Sequence, residues 1–425
     1  MKKILFVFIL LVMSFYTAYA KDISYSMNKY DDEIFNYIEK SYNSELEEDG
    51  YVLGGSILKE KIEKDDTTYN DYQVVLVKYN KNDKLVWKYT YGNNSEDYID
   101  YLTYTYNEDG NIDGYLIVTR ETHDINEPNI GTNTIIIKID FDGKLVYERN
   151  INEGVITKII PTYNDENIID GYISIVNTQI GSSIIKYNKD FDVIARRDFN
   201  DTKISDVTLI KENNKIIGFA VIEGNNLITV DYNLVNDVVV TDISKYKSSN
   251  LGEANEGFIL YGVTDEVKLD KGDSSYYLIN YVNNEEVWET IGETPTSKDG
   301  ELILLPIKEG KIKEYFLLYK NELDSSYEVI KINLDGEVLK KVKKISNNYY
   351  DIENFYSKGS TIYFIGQINC PDDDGCEYDS NSLYLVSDED KVIEVKDDRN
   401  IIIVFSVIFI VLSSIIVVIR KKIKK

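Results

Sequence analysis

The sequence predicts an all-β fold, a seven-bladed β-propeller ectodomain followed by a single C-terminal transmembrane helix. Three observations predict it. Two short strand motifs alternate along the chain, seven copies of each. The composition favours strands, with abundant Ile and Val, 36 Tyr and only 5 Pro in 425 residues. A charge-free apolar run near the C-terminus is followed at once by basic residues.

Residues 1–20 carry the three parts of a secretory signal peptide. Lys2 and Lys3 supply the positive start, and residues 4–13 are apolar. Ala18-Tyr19-Ala20 presents small residues where a signal peptidase reads them, placing cleavage before Lys21. The run is short for a bilayer core of about 30 Å, which favours cleavage over retention as an N-terminal anchor.

Residues 21–398 are expected to form the ectodomain. One recurring motif is a strand, a tight polar turn and a second strand, as in Val77-Lys78-Tyr79-Asn80 leading to Leu85-Val86-Trp87. It returns as Ile137-Lys138-Ile139-Asp140-Phe141-Asp142-Gly143 leading to Leu145-Val146-Tyr147, with further copies near Ile185, Thr229, Ile279, Ile330 and Leu385. Asp142-Gly143 and Asp335-Gly336 are hairpin signals, since both turn residues tolerate positive φ.

The second motif begins an apolar strand, as Asp49-Gly50-Tyr51, Asp113-Gly114-Tyr115 and Asp170-Gly171-Tyr172. Looser copies are Ile217-Gly218-Phe219, Glu256-Gly257-Phe258, Glu314-Tyr315-Phe316 and Ile362-Tyr363-Phe364. Copies stand 39 to 64 residues apart, which fits loop insertions. Each unit holds about four short strands, the content of one propeller blade. The innermost strand of the first blade is expected at residues 37–42, and the last blade is expected to end near Val395. A set of separate antiparallel sandwiches is the competing architecture.

These motifs resemble the repeats of bacterial cell-surface β-propeller proteins, which read like Val-Lys-Tyr-Asp, a turn Gly, Trp, Gly-Gly, Asp and Asp-Gly-Gly-Tyr. The best copy is Val77-Lys78-Tyr79-Asn80, Trp87, Gly92-Asn93, Asp97 and Asp113-Gly114-Tyr115. It departs at Asn82-Asp83, at Asn93 and in the single Gly114, and later copies decay, Val338-Leu339 lacking the aromatic residue. The resemblance covers most of the ectodomain. It implies a propeller and an exported, non-catalytic surface protein, and carries little about the ligand.

The chain has two cysteines, Cys370 and Cys376, around an acidic loop. Outside the cytoplasm they read most simply as a disulfide. Asp372, Asp374, Glu377 and Asp379, with Asp373, form the sharpest calcium candidate, since calcium takes hard oxygen ligands. Their spacing departs from the Asp-x-Asp-x-Asp-Gly loop, so no cofactor is the simpler expectation. Asp140-Phe141-Asp142-Gly143 is better explained as a hairpin turn than as a calcium loop.

Residues 399–419 are expected to be the transmembrane helix, with a charge-free stretch from Ile401 to Ile419 long enough to cross the hydrocarbon. Arg420, Lys421, Lys422, Lys424 and Lys425 then place residues 420–425 in the cytoplasm. Wall-anchored proteins of Gram-positive bacteria end similarly, but with an LPxTG-type motif upstream. Val392-Ile393-Glu394-Val395 stands there instead. The helix itself is therefore expected to be the membrane anchor, and the tail is too short for a signalling domain.

All 73 acidic residues lie between Lys21 and Asn400 with 40 of the 47 basic ones, a net charge of −33. Such a surface excludes nucleic acid as a partner and favours cations. Hydrolytic chemistry needs a nucleophile with an oriented base, or paired carboxylates. The single histidine, His123, reads as a solvated loop residue, and no phosphate-binding glycine motif is present. Trp87 and Trp288 occupy equivalent repeat positions and, with most of the tyrosines, read as blade packing rather than sugar-stacking surfaces.

The function expected is a membrane-anchored, extracellular, non-catalytic module binding a protein or a glycan. An extracytoplasmic enzyme using carboxylates in the propeller mouth is the second reading. A structural envelope or assembly protein is the third.

Overall fold

Both motifs contain consecutive apolar residues, a pattern that suits strands buried on both faces. Leu116, Ile117, Val118, Ile136 and Ile137 are accordingly fully buried. Fourth strands instead alternate between exposed and half-buried positions, as outer edges do. The computed structural model describes residues 33–394 with short interruptions, chiefly 125–132, 266–273, 297–301 and 369–381.

The described residues form six four-stranded antiparallel meanders. The first is β1 Glu33–Tyr42, β2 Glu48–Lys64, β3 Thr67–Asn80 and β4 Leu85–Tyr91; the second is β5 Ser95–Tyr106, β6 Ile112–Asp124, β7 Asn133–Ile139 and β8 Leu145–Ile151. The third is β9 Val155–Tyr163, β10 Ile169–Asn177, β11 Gly181–Asn188 and β12 Val193–Asn200. The fourth is β13 Ile204–Glu212, β14 Lys215–Glu223, β15 Asn226–Asp231 and β16 Asp237–Asp242. The fifth is β17 Tyr246–Glu253, β18 Phe258–Thr264, β19 Ser275–Val282 and β20 Glu285–Pro295. The sixth is β21 Ile303–Glu309, β22 Lys311–Lys320, β23 Tyr327–Asn333 and β24 Val338–Ser346.

A further sheet has three strands, β25 Tyr350–Lys358, β26 Thr361–Ile368 and β27 Ser382–Asp388. Among the described residues the expected seventh four-stranded blade is therefore not found. The residues expected to complete it, near Val395, include β28 Ile393–Glu394, which pairs in parallel with Ile345 and Ser346 of β24 in the sixth blade. Among the described residues no helix is long and apolar enough to cross a membrane. The signal peptide, the 399–419 span and the basic tail lie outside them.

The core is distributed around the ring, between neighbouring sheets. Val52, Val74 and Leu76 of the first blade pack on Leu102, Ile117 and Ile137 of the second. Equivalent clusters join each later pair of blades. Phe316 and Leu318 of the sixth blade pack on Phe355 and Phe364 of the three-stranded sheet, and Ile365 of that sheet joins Phe35 and Leu53 of the first blade. The sheets thus face one another radially, the packing of a β-propeller.

The two sequence motifs meet inside each of the first three blades. Lys78 of β3 is paired with Asp49 of β2 at 2.8 Å, Lys138 with Asp113 at 2.5 Å, and Lys186 with Asp170 at 3.9 Å. The same carboxylates accept hydrogen bonds from Ser41, Thr105 and Thr162 of the first strands, at 2.5, 2.7 and 2.6 Å. Burying a lysine is tolerable only where its charge is matched, and these triads supply the match.

The turn between β7 and β8 is the expected hairpin, and it uses positive φ at one residue. Only Gly143 takes positive φ, at 81°, and Asp142 does not. Asp140 N donates to the Lys144 carbonyl at 3.0 Å and Gly143 N to the Asp140 carbonyl at 3.1 Å, a three-residue loop with glycine at the bulge. The Asp140 carboxylate accepts from the amides of Asp142 and Lys144, both at 2.9 Å, so the acidic pattern here builds a turn.

Candidate functional site

Within each meander the first and third strands run the same way. The C-terminal ends of the first strands therefore share one face of the ring with the turns that follow the third strands. On that face six inner strands, one per four-stranded blade, each deliver a polar or aromatic side chain to a common mouth. They are Glu39 of β1, Tyr104 and Tyr106 of β5, Tyr163 of β9, Lys211 of β13, Glu253 of β17 and Lys308 of β21.

Glu253 is the centre of one half of this mouth. Lys211 donates to one of its carboxylate oxygens, and Lys308 donates to the other at 2.5 Å. Burial acts to raise the Glu253 pKa, but Lys308 and Lys211 outweigh it and hold the carboxyl below its ordinary value. Lys211 also lies over the Tyr163 ring, 5.9 Å from its centroid. The Tyr163 hydroxyl is hydrogen-bonded to that of Tyr106, and burial pushes the Tyr163 phenol up to about 12.

Glu39 occupies the other half. Burial raises its carboxyl to about 7, against opposing contributions from a Tyr104 hydrogen bond and from Lys308. The Tyr104 hydroxyl also donates to the Lys40 carbonyl at 3.1 Å. Lys308 therefore faces two carboxylates, one fixed as an anion and one poised to titrate near neutrality. A pocket of about 460 Å³ opens in the Glu253 half, lined in part by Tyr163, Lys211, Glu253 and Lys308.

Deeper in the ring the inner strands are tied to one another. Asp206 of β13 pairs with Lys158 of β9 at 2.5 Å and accepts from the amides of Val207 at 2.8 Å and Leu251 of β17 at 2.7 Å. One carboxylate thus fastens three blades. Tyr37 of β1 and Tyr101 of β5 meet edge to face with centroids 6.0 Å apart. Beside them, burial lifts Asp100 to about 6 although Arg120 lies 3.0 Å away.

The residues singled out from sequence have a different fate. Cys370, Cys376, Asp372, Asp374, Glu377 and Asp379 lie outside the described residues, as do Ile401, Ile419, Arg420, Lys421, Lys422, Lys424 and Lys425. Among the described residues no cluster of acidic, His or Cys side chains could hold a metal. His123, expected in a loop, instead falls in strand β6. Many tyrosines pack within blades, as Tyr51 on Tyr79 with centroids 5.4 Å apart and Tyr172 on Phe191 at 4.8 Å.

Trp87 and Trp288 each cap the turn of the following blade. Their indole N–H groups donate to the Phe141 carbonyl at 2.9 Å and the Leu334 carbonyl at 2.8 Å. The mouth residues themselves were not visible as a set in the sequence. Their shared signal is position: each lies three to ten residues ahead of a copy of the second motif.

No family model matches the chain, and no curated protein matches it. Among solved structures it is similar to the Dos1 propeller, with a TM-score of 0.50 and 9% identity over 87% of this chain and 96% of that one. It is also similar to Sqt1 of Saccharomyces cerevisiae, with a TM-score of 0.46 and 9% identity over 86% of this chain and 99% of that one. A candidate 6-phosphogluconolactonase from Bacteroides uniformis gives a TM-score of 0.45 and 10% identity over 80% of this chain and 97% of that one. At such identities the likeness to the Dos1 propeller speaks to fold alone, and the fold is that of a β-propeller.

Proposed function

We propose that this protein is a membrane-tethered binding module displayed outside the cytoplasm, which takes a protein or glycan partner at the mouth of its ring. The observation that carries this reading is the set of side chains from six inner strands gathered at one mouth. No single blade could build that surface, and the rigid ring holds it in place. Its contacts are ion pairs and hydroxyl–carboxylate hydrogen bonds, which suit recognition.

The tether rests on the signal-like residues 1–20 and on the apolar run 401–419 with its basic flank. β28 runs parallel to β24 and so away from the mouth. Six residues separate it from Ile401, about 20 Å if extended. A span there would set the opposite face of the ring toward the bilayer and turn the mouth outward. The three-stranded sheet, packed between the sixth and first blades, serves in this reading as a seventh blade that closes the ring.

Glu39 favours a second reading. A carboxyl held at about 7 beside a tyrosine hydroxyl is suited to general acid–base work. In that case the mouth would be the active site of an extracytoplasmic enzyme acting on carbohydrate or peptide.

Glycan and protein arrays probed with the full chain in non-ionic detergent distinguish these readings. Reproducible binding that is lost in Lys308→Ala supports the binding module. Polymer turnover abolished by Glu39→Gln supports the enzyme. Neither binding nor turnover contradicts both and leaves a structural role in the envelope.

A further inference from the structure

Charge is unevenly placed on this molecule. The chain carries a net charge of −26, so its long-range field repels anions. The pocket at the mouth nevertheless gathers Lys211, Lys308 and Lys311 around the single carboxylate of Glu253. Glu253 engages Lys211 and Lys308 together, and Glu39, the other carboxyl facing Lys308, lies outside the lining, so the lining itself carries an excess of two ammonium groups. A locally positive, concave site in a strongly acidic protein is what a small anionic ligand requires, and what a cationic or neutral one does not.

The walls narrow the class further. Ile216 and Ile312 line the pocket beside the lysines, and Tyr163 lines it too. Asn255 fixes the Ile312 wall, donating to its carbonyl at 2.7 Å and accepting from its amide at 2.9 Å. The lining side chains come from the third to sixth blades. An extended peptide is usually held by pairing with a free strand edge. A sugar ring instead presents an apolar face and a polar rim, which these mixed walls match. A volume of about 460 Å³ lies in the range of small-molecule sites.

We infer that this pocket holds a carboxylate-bearing sugar residue, its anionic group on Lys308 and Lys311 and its ring face against Ile216 and Ile312. This rests on reading the mouth as a binding surface. Glu253 is then a positioning residue, holding Lys308 extended toward the ligand while Lys211 is held from the other side. Lys308 and Lys311 are both exposed, so their replacement leaves the blade core intact.

Calorimetric titration of the full chain in non-ionic detergent tests the inference, with sodium glucuronate, sodium galacturonate, glucose, sodium acetate and an N-acetylated tripeptide with a free C-terminus as probes. A uronate is expected to bind saturably and at least about 10-fold more tightly than glucose or acetate, with affinity falling as salt rises. Lys308→Gln and Lys311→Gln are each expected to weaken it about 5-fold or more, Lys311→Gln at unchanged melting temperature. Absence of saturable uronate binding, equal affinity for acetate or the tripeptide, or indifference to both lysine variants would overturn it. Array binding to a neutral glycan or a protein, with no uronate binding, would sink this inference and leave the binding-module reading standing. Silence in both experiments would sink the two together.

Discussion

The indole of Trp87 in the first blade lies over Gly143 in the turn of the second, and a Cβ built on that glycine would fall 2.7 Å from the ring. Trp288 stands in the same relation to Gly336, at 2.5 Å. Where the aromatic residue shrinks, the turn residue grows. Tyr147 meets Phe191, with centroids 6.3 Å apart, and Ala195 shares a cluster with Leu234. Phe191 and Leu234 hold the same positive φ, 62° and 64°, that glycine holds elsewhere. Neighbouring blades are thus fitted by complementary volumes at one repeated position.

Gly143→Ala is therefore expected to destabilise by about 2–3 kcal/mol, from the positive φ and the clash together. Trp87→Ala is expected to cost about 2 kcal/mol, since the indole is half-buried. In the double variant the clash disappears, so the two costs should add to less than their sum by more than about 0.5 kcal/mol. Urea denaturation of the four proteins measures the coupling, and strict additivity would contradict the interlock.

A second prediction concerns the triad that joins the motifs. The Lys78 side chain is 4% exposed and its ammonium donates to the Tyr42 carbonyl at 2.9 Å. Asp49→Ala leaves that charge buried without its counter-ion and should cost about 3 kcal/mol. Asp49→Ala combined with Lys78→Met should recover more than about 1 kcal/mol of the loss. A double variant no more stable than Asp49→Ala would show that the ion pair is not what holds the site.

The mouth makes stability depend on pH in a definite direction. Burial raises Glu39 from an ordinary 4.5 to about 7, so the native state binds more protons than the unfolded one between those values. That contribution is fully present below about 4.5 and is lost as pH rises through about 7, a loss of up to about 3 kcal/mol. Asp100 adds the same sign between 3.8 and about 6. Glu253 opposes them: its carboxyl is held low by Lys308 and Lys211, so its contribution is present above 4.5 and lost as pH falls through the lowered native value. Glu39→Gln should flatten the slope between pH 4.5 and 7 in melting experiments, and an unchanged slope would assign it elsewhere.

The anchor is tested by truncation. A chain ending at residue 398 is expected to leave the membrane fraction and appear in the medium or periplasm, while the full chain resists carbonate extraction. Membrane retention of the truncated chain would place the attachment elsewhere.

Much of the fold was legible because the repeat writes it into the sequence. All seven copies of the second motif form second strands, and each Asp-Gly-Tyr glycine explains itself by close approach. A Cβ on Gly50, Gly114 or Gly171 would lie 1.9 to 2.2 Å from a carbonyl of the third strand. The triads were half legible, since Asp49 and Lys78 were both noticed but their contact requires the β2–β3 register. The mouth was not legible. Glu39, Lys211, Glu253 and Lys308 come from four blades with no motif in common, and with 73 acidic residues no single carboxylate stands out. The fate of the last strand was hidden too, because Ile393 and Glu394 suit a seventh blade as well as the edge of the sixth.

Hydrogen exchange of the full chain, with and without saturating sodium glucuronate, tests the central claim that the mouth is the binding surface. New protection is expected in peptides spanning residues 158–164, 207–214, 250–257 and 304–312, where the inner strands that line the pocket end. Protection confined to the outer strands, or to the opposite face of the ring, would contradict it.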